Sequence, residues 1–280
     1  MSWLFLLLIN VVVMSVASLF QRLAMKEKNS DPVLSSIIFQ FILGLLVTAF
    51  ILTKGFVWPT LAHLPFILFS ASLYAIGCVM FFKAIKLLEA SEMTILGGVG
   101  AIVTMICAYF FLGERLVVSQ YLGAALVLLS VILIQYNGQK FILNKGVIYV
   151  LLATSLYSFA VTSDTFVIKS YDALSYAAIM SFLPGIMLCF FFPKSLPKLP
   201  KAVKTISKNL LIYVFLYAIG VITFYASLGQ GAMLSQVGVI VRTQIIFTVI
   251  LAAVFIKEND RLLRKILAAL IGMIGIMLVA

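Results

Sequence analysis

Two charged residues stand inside long apolar runs. Asp164 lies in "TSLYSFAVTSDTF" and Arg242 in "SQVGVIVRTQIIFTVILAAVF". An ionisable group well inside a bilayer costs at least about 2.5–3.5 kcal/mol, so each needs a partner or a task. Arg242 is about seven residues, hence roughly 10 Å, into its run; Asp164 is about five residues from the end of its own. Those two run ends emerge on the same side of a membrane, so an Asp164–Arg242 pair beside a polar cavity is expected. The arginine fork also suits a carboxylate or phosphate on a substrate. A pair that only locks two helices together is the competing reading.

Weaker polar signals accompany this pair. Thr154, Tyr157, Ser158, Val161, Asp164 and Thr165 fall on one helical face, as do Ser235, Gly238 and Arg242. Gln21, Ser15 and Ser18 form a further stripe, and Gln40, Gln236 and Gln244 add hydrogen-bonding groups. Tyr74 and Tyr217 open two copies of "YAIG" and can line a cavity, although aromatic residues in spans more often pack. Gly97, Gly98, Gly100 and Gly238 either widen a cavity or let helices approach closely. Glu114 and Glu258 close their runs and are expected to cap or anchor the next helix, while Arg22, Lys83 and Lys169 are expected to snorkel to water. His63, the one histidine, falls in a connection and is expected to be solvated.

Enzyme signatures are missing. The chain has no HExxH, GxSxG or Walker A sequence, no clustered His/Cys set and no paired carboxylates in one run. Neither cofactor nor metal is expected, and ATP-driven pumping within this chain is excluded. Cys78, Cys107 and Cys189 lack CxxC spacing and read as small packing residues.

The elements that must hold these groups follow from composition. Hydrophobic residues make up 64% of the chain and charged ones 10%, against about 45–50% and ~25% for soluble domains. Apolar runs of roughly 18–22 residues match a hydrocarbon layer about 30 Å thick. Ten spans are expected, near 3–23, 33–53, 64–82, 93–111, 118–135, 146–168, 173–192, 209–228, 234–256 and 263–279. The chain reads as an all-α polytopic membrane protein. Its excess of basic residues then records orientation in a bilayer, and nucleic acid is not an expected partner.

The chain is also doubled. "YAIGCVMFF" from Tyr74 answers "YAIGVITFY" from Tyr217, and "DPVLSS…FILGLL" answers "DALSY…FLPGIM". "FFLGERLVVSQYLGAALVLLSVILI" answers "VFIKENDRLLRKILAALIGMIGIMLV" and sets Glu114 on Glu258. The register places Gly98 at the position of Arg242. Residues 1–140 and 141–280 therefore read as two five-helix repeats. Five is odd, so the second repeat enters the membrane from the opposite side. Inverted repeats can exchange conformations and open a midplane site to each side in turn.

The "FLGERL" segment, the "YLGAALVLLSVILI" span after it and the five-plus-five plan resemble the drug/metabolite transporter superfamily, specifically its EamA-type members. That resemblance covers essentially the whole chain. It implies a ten-helix bundle whose central cavity moves small metabolites, often outward. Where many members carry a Trp-Gly pair in the first span and a proline early in the fourth and ninth, this chain has "SVAS", "GGVG" and "VRTQ".

The function expected is therefore a secondary carrier, with a small-molecule substrate and membrane lipid as its partners, acting as monomer or homodimer. A flippase for a lipid-linked head group is the alternative. Of the twenty basic residues, sixteen lie in odd-numbered connections, three (Lys54, Arg115 and Lys169) in even ones, and Arg242 inside a span. Positive charge favours the cytoplasm. The bias puts both termini outside; the habit of the resembling family puts them inside.

Overall fold

The protein is described from a computed structural model over residues 2–113, 115, 117–136, 143–230 and 240–279. The described chain is helical. Helices α1 (Trp3–Lys26), α2 (Pro32–Leu52) and α3 (Leu64–Leu87) are followed by a broken pair, α4 (Ala90–Gly97) and α5 (Val99–Cys107), and then by α6 (Val118–Gln135). The second half holds α7 (Lys145–Ile168), α8 (Ala173–Phe191), a short α9 (Leu199–Lys204), α10 (Lys208–Gly229), α11 (Gln244–Phe255) and α12 (Leu262–Val279). Nine described helical segments are long and apolar enough to cross a membrane, and Ile240–Phe255 is a shorter apolar helix. The expected ninth span, 234–256, is thus described from residue 240 onward.

Matching sequence builds matching ends. Asp31 Oδ1 accepts hydrogen bonds from Val33 N and Leu34 N at 2.8 and 3.2 Å, starting α2. Asp172 Oδ2 accepts one from Ser175 N at 2.7 Å, starting α8. Each caps backbone N–H groups that the first helical turn leaves unpaired. Ser2 and Asn144 cap α1 and α7 in the same way.

Packing repeats the pattern across the halves. Helix α3 lies along α7 and α10 along α1, the same pair with the halves exchanged; α2 packs on α8, and α6 on α12. The two "YAIG" glycines stand at these crossings. A Cβ on Gly77 would come within 2.7 Å of Tyr157 Cε1, and one on Gly220 would overlap Met14. Tyr157 and Met14 are themselves repeat mates, so the doubled motif serves one close helix approach made twice. Phe41 and Phe182, also mates, meet edge to face with ring centroids 5.5 Å apart at the α2–α8 crossing. Gly123 and Gly275 face each other where α6 meets α12; a methyl on Gly123 would lie 2.5 Å from the Gly275 carbonyl oxygen. Outward positions such as Leu8, Leu45, Phe190 and Phe255 stay exposed, as a bilayer-facing surface requires.

Candidate functional site

Helices α4–α5 and the segment leading into α11 are broken at matching points. Gly98 N donates to Ile95 O at 3.1 Å and Gly98 O accepts from Ala101 N at 3.0 Å. Thr243 N donates to Ile240 O at 3.1 Å and Thr243 O accepts from Ile246 N at 3.1 Å. These are i→i+3 bonds, tighter than the α-helical i→i+4, and each marks a one-residue break in the helix, although Thr243 O also accepts the α-helical bond from Phe247 N at 3.4 Å. Arg242 sits directly before the second break.

A serine from each half bonds a carbonyl of the broken helix beside it. Ser158 Oγ of α7 donates to Gly100 O at 2.8 Å and to Thr154 O at 2.9 Å. Ser15 Oγ of α1 reaches Gln244 O at 3.5 Å and Val11 O at 2.7 Å. Interrupted helices in corresponding positions of two repeats are where carriers place their binding sites.

The polar face of α7 is real but is turned from its expected setting. Thr154, Ser158, Thr162 and Asp164 are buried, whereas Val161 is 45% exposed and faces outward. Asp164 is only 6% exposed. Tyr74 of α3 donates its hydroxyl to Asp164 Oδ2 at 2.7 Å, and Tyr176 of α8 donates to Oδ1. The aspartate therefore finds its partners in two phenols. Among the described residues it makes no ion pair.

The expected Asp164–Arg242 pair is corrected accordingly. Depth can be read from a span's ends, but the rotation of each helix cannot, and Asp164 is turned toward α3 and α8. Arg242 makes no ion pair or hydrogen bond among the described residues. Its side chain is exposed rather than enclosed by the helices around it.

An aromatic group fills the region between the halves. Tyr74 and Tyr157 have ring centroids 5.6 Å apart, and Phe81 lies 5.9 Å from Tyr157. Tyr217 meets Phe39 at 5.1 Å and Tyr213 at 5.7 Å. Both "YAIG" tyrosines thus join inter-helix aromatic contacts. Gln21 is buried on α1, and Gln40 is buried on α2 with its Oε1 lacking a hydrogen bond. Gln244 is half-buried and meets Ser15 through its backbone.

The glycines divide. Gly98 is close-packed, since a Cβ there would lie 3.0 Å from Ile276 Cδ1; Gly100 rests in ordinary contact with Ser158 and Thr154. Gly97 has space around it, with Thr154 Cγ2 at 3.9 Å as its one neighbour. Gly238, Ser235, Gln236 and Glu114 lie outside the described residues.

Charged residues at one end of the bundle depart from expectation. Arg22 does not snorkel: it is buried, with Nε 3.3 Å from Glu258 Oε1 and Nη1 donating to Ile85 O at 2.6 Å. Glu258 Oε2 accepts from Ala90 N at 2.9 Å, and Lys265 pairs with Glu89. Glu258 thus ties α1 and the start of α4 to the α11–α12 connection, and its carbonyl also accepts from Lys265 Nζ of α12 at 3.2 Å, an anchor on the following helix. Arg22 and Lys265 escape a linear reading because their partners Glu258 and Glu89 are remote in sequence, whereas Tyr176, on the helix after Asp164, escapes it because the rotation of α7 and α8 about their axes is not written in hydropathy. His63 sits in a short turn, and its Nε2 lies 3.0 Å from Ser170 Oγ.

A model of the EamA-like transporter family matches the chain twice, over residues 1–136 and 144–280. No curated protein matches it. A protein known from a crystal structure superimposes with a TM-score of 0.64 at 15% identity, over 97% of this chain and 94% of the other, which is a likeness of fold.

Proposed function

The chain belongs to the EamA-like transporter family, and from that premise we propose that it is a secondary carrier exporting a small metabolite by alternating access. The observation that carries this reading is the pair of helix breaks at Gly98 and Thr243, each beside a backbone carbonyl bonded by a serine of the opposite half. Two near-equivalent arrangements of similar energy are what a carrier interconverts. Arg242, accessible and without an ion pair or hydrogen bond among the described residues, suits an anionic or zwitterionic substrate group. Ser158 and Gln244 lie at the helix breaks and Tyr157 is next to Ser158; Tyr74, Tyr217 and Gln21 are further proposed substrate contacts, and Asp164 lies behind Tyr74.

A lipid-linked head group is the second reading. It draws on a cavity of about 320 Å³ lined by Phe66, Phe69, Phe111, Phe159 and Phe166 on bilayer-facing positions, with Ser163 on its wall.

Thermal shifts of purified protein against pooled metabolites would find ligands, and flux of each into proteoliposomes would test transport. Stabilisation by a small anion with flux that Arg242→Ala abolishes is the expected result. Folded protein that moves no soluble metabolite but moves a polyprenyl-phosphate sugar would replace the first reading with the second.

A further inference from the structure

Repeat symmetry makes Asp164 conspicuous. The glycines Gly77 and Gly220 set a register of 143 residues between α3 and α10, and the serines Ser15 and Ser158 set the same register between α1 and α7. At that register the mate of Asp164 is Gln21, which is also buried. The mate of Tyr74, the phenol bonded to Asp164, is Tyr217. One half thus carries a neutral amide where the other carries a carboxylate. The α2–α8 register of 141 residues, set by Asp31 and Asp172, puts Ser35 in the place of Tyr176, so the second phenol is likewise present in one half only.

The surroundings of Asp164 say what that charge is suited to. From α3 it faces Tyr74, with Ser70 nearby donating to Ala160 O at 3.3 Å. Tyr176 faces it from α8. Tyr225 of α10 lies in electrostatic range, and Cys107 of α5 lies beside Thr162, two residues before Asp164 and on another face of α7. All of these are neutral groups. Neither lysine, arginine nor histidine pairs with Asp164 among the described residues. Both phenols spend their protons on the carboxylate, which leaves few lone pairs aimed at a metal cation; sodium takes several oxygen ligands. A proton needs one.

We infer that Asp164 is a proton-loading site, binding and releasing one proton as the carrier cycles, and that this site exists in one half of the chain only. The inference rests on the carrier reading. Its step is simple: the carboxylate takes H⁺ from water to become the carboxylic acid, one phenol turns from donor to acceptor, and release reverses both. Tyr74, half-buried and in contact with Tyr157, stands between Asp164 and the aromatic region. Protonation there is therefore coupled to the side chains proposed to line the transport route.

Infrared difference spectra of the whole purified chain, taken as pH is lowered, test this without any substrate. A carboxylic-acid carbonyl band should appear in the wild type, vanish in Asp164→Asn and persist in Asp164→Glu. Replacing choline chloride by sodium chloride at fixed pH should leave it unchanged. Tyr74→Phe should displace its midpoint, and Tyr217→Phe should not. These two variants keep the test open should Asp164→Asn fail to fold. The inference is overturned if the wild-type and Asp164→Asn spectra coincide, if sodium removes the band, or if Tyr74→Phe leaves the midpoint in place. Such results would leave the carrier reading standing; normal titration with no flux of any metabolite would do the reverse.

Discussion

Arg22 and Glu258, one from each half of the chain, meet in a buried ion pair with Nε 3.3 Å from Oε1. Around them the C-terminal ends of α1 and α3, the start of α4 and the α11–α12 connection converge through Ile85 O, Ala90 N and Lys265. All of these lie at the end of the bundle that carries the odd-numbered connections. The network ties the halves together at that end. The first half cannot rebuild it by symmetry at the other end, because the mate of Arg22 is Thr165.

Removing one member of this network should therefore be costly. A buried pair that loses one partner typically costs about 3–5 kcal/mol, because the other charge is left uncompensated. Lys26 also reaches Glu258 at 3.7 Å but is 44% exposed and stays hydrated, so it adds little. Glu258→Ala should lower the melting temperature in detergent markedly, and Arg22→Met with Glu258→Met should recover much of the loss. A Glu258→Ala protein that melts with the wild type would show that the network is not holding this end.

Glycine positions give a graded series. Gly123→Ala drives a methyl against the Gly275 backbone, which cannot yield, and Gly77→Ala drives one against the Tyr157 ring. Gly220→Ala meets the flexible thioether of Met14, and Gly97→Ala meets open space. Overpacking costs about 1–3 kcal/mol. Melting temperatures should fall in the order Gly97→Ala, Gly220→Ala, Gly77→Ala, Gly123→Ala, with the first near wild type. Reversal of the two ends of that order would contradict the helix approaches described above.

Orientation has its own test. Sixteen of twenty basic residues lie in the odd-numbered connections or in the helix ends that flank them, and the positive-inside bias places that side in the cytoplasm with both termini outside. A C-terminal fusion to a reporter that matures only in the cytoplasm should be dark, and an alkaline-phosphatase fusion active. The opposite pattern would mean that family habit outweighs the charge count.

Spans and repeat were legible in the sequence because each leaves a linear signal: hydropathy for the spans, the "YAIG" pair and the aspartate caps for the repeat. The fate of single polar residues was not. Hydropathy places Asp164 in depth but leaves its helix free to rotate, so Tyr176 was unreadable as a partner. Arg22 lies near a span end, where snorkelling is the usual outcome, and only the fold brings Glu258 to it. Gly98 advertised a weak point in its helix; the matching break at Thr243 had no glycine to announce it.

The last prediction separates Arg242 from Asp164. Since Arg242 has no ion pair or hydrogen bond among the described residues, Arg242→Ala should leave the protein folded, with a melting temperature near wild type, while transport of an anionic substrate is lost. Asp164→Ala orphans the buried phenol of Tyr176 and the half-buried one of Tyr74, and an unsatisfied buried donor costs about 1–3 kcal/mol. Uncoupled sites add within roughly 0.3–0.5 kcal/mol. The double variant should therefore melt where Asp164→Ala alone melts. If the two charges were instead a pair, Arg242→Ala would destabilise the protein and the double variant would recover that loss. Arg242→Lys keeps the charge and loses the bidentate fork. Transport that survives Lys but not Ala assigns charge alone to position 242, whereas transport that fails in both assigns the fork. Normal transport in Arg242→Ala would remove this arginine from the site and leave the family and the fold untouched.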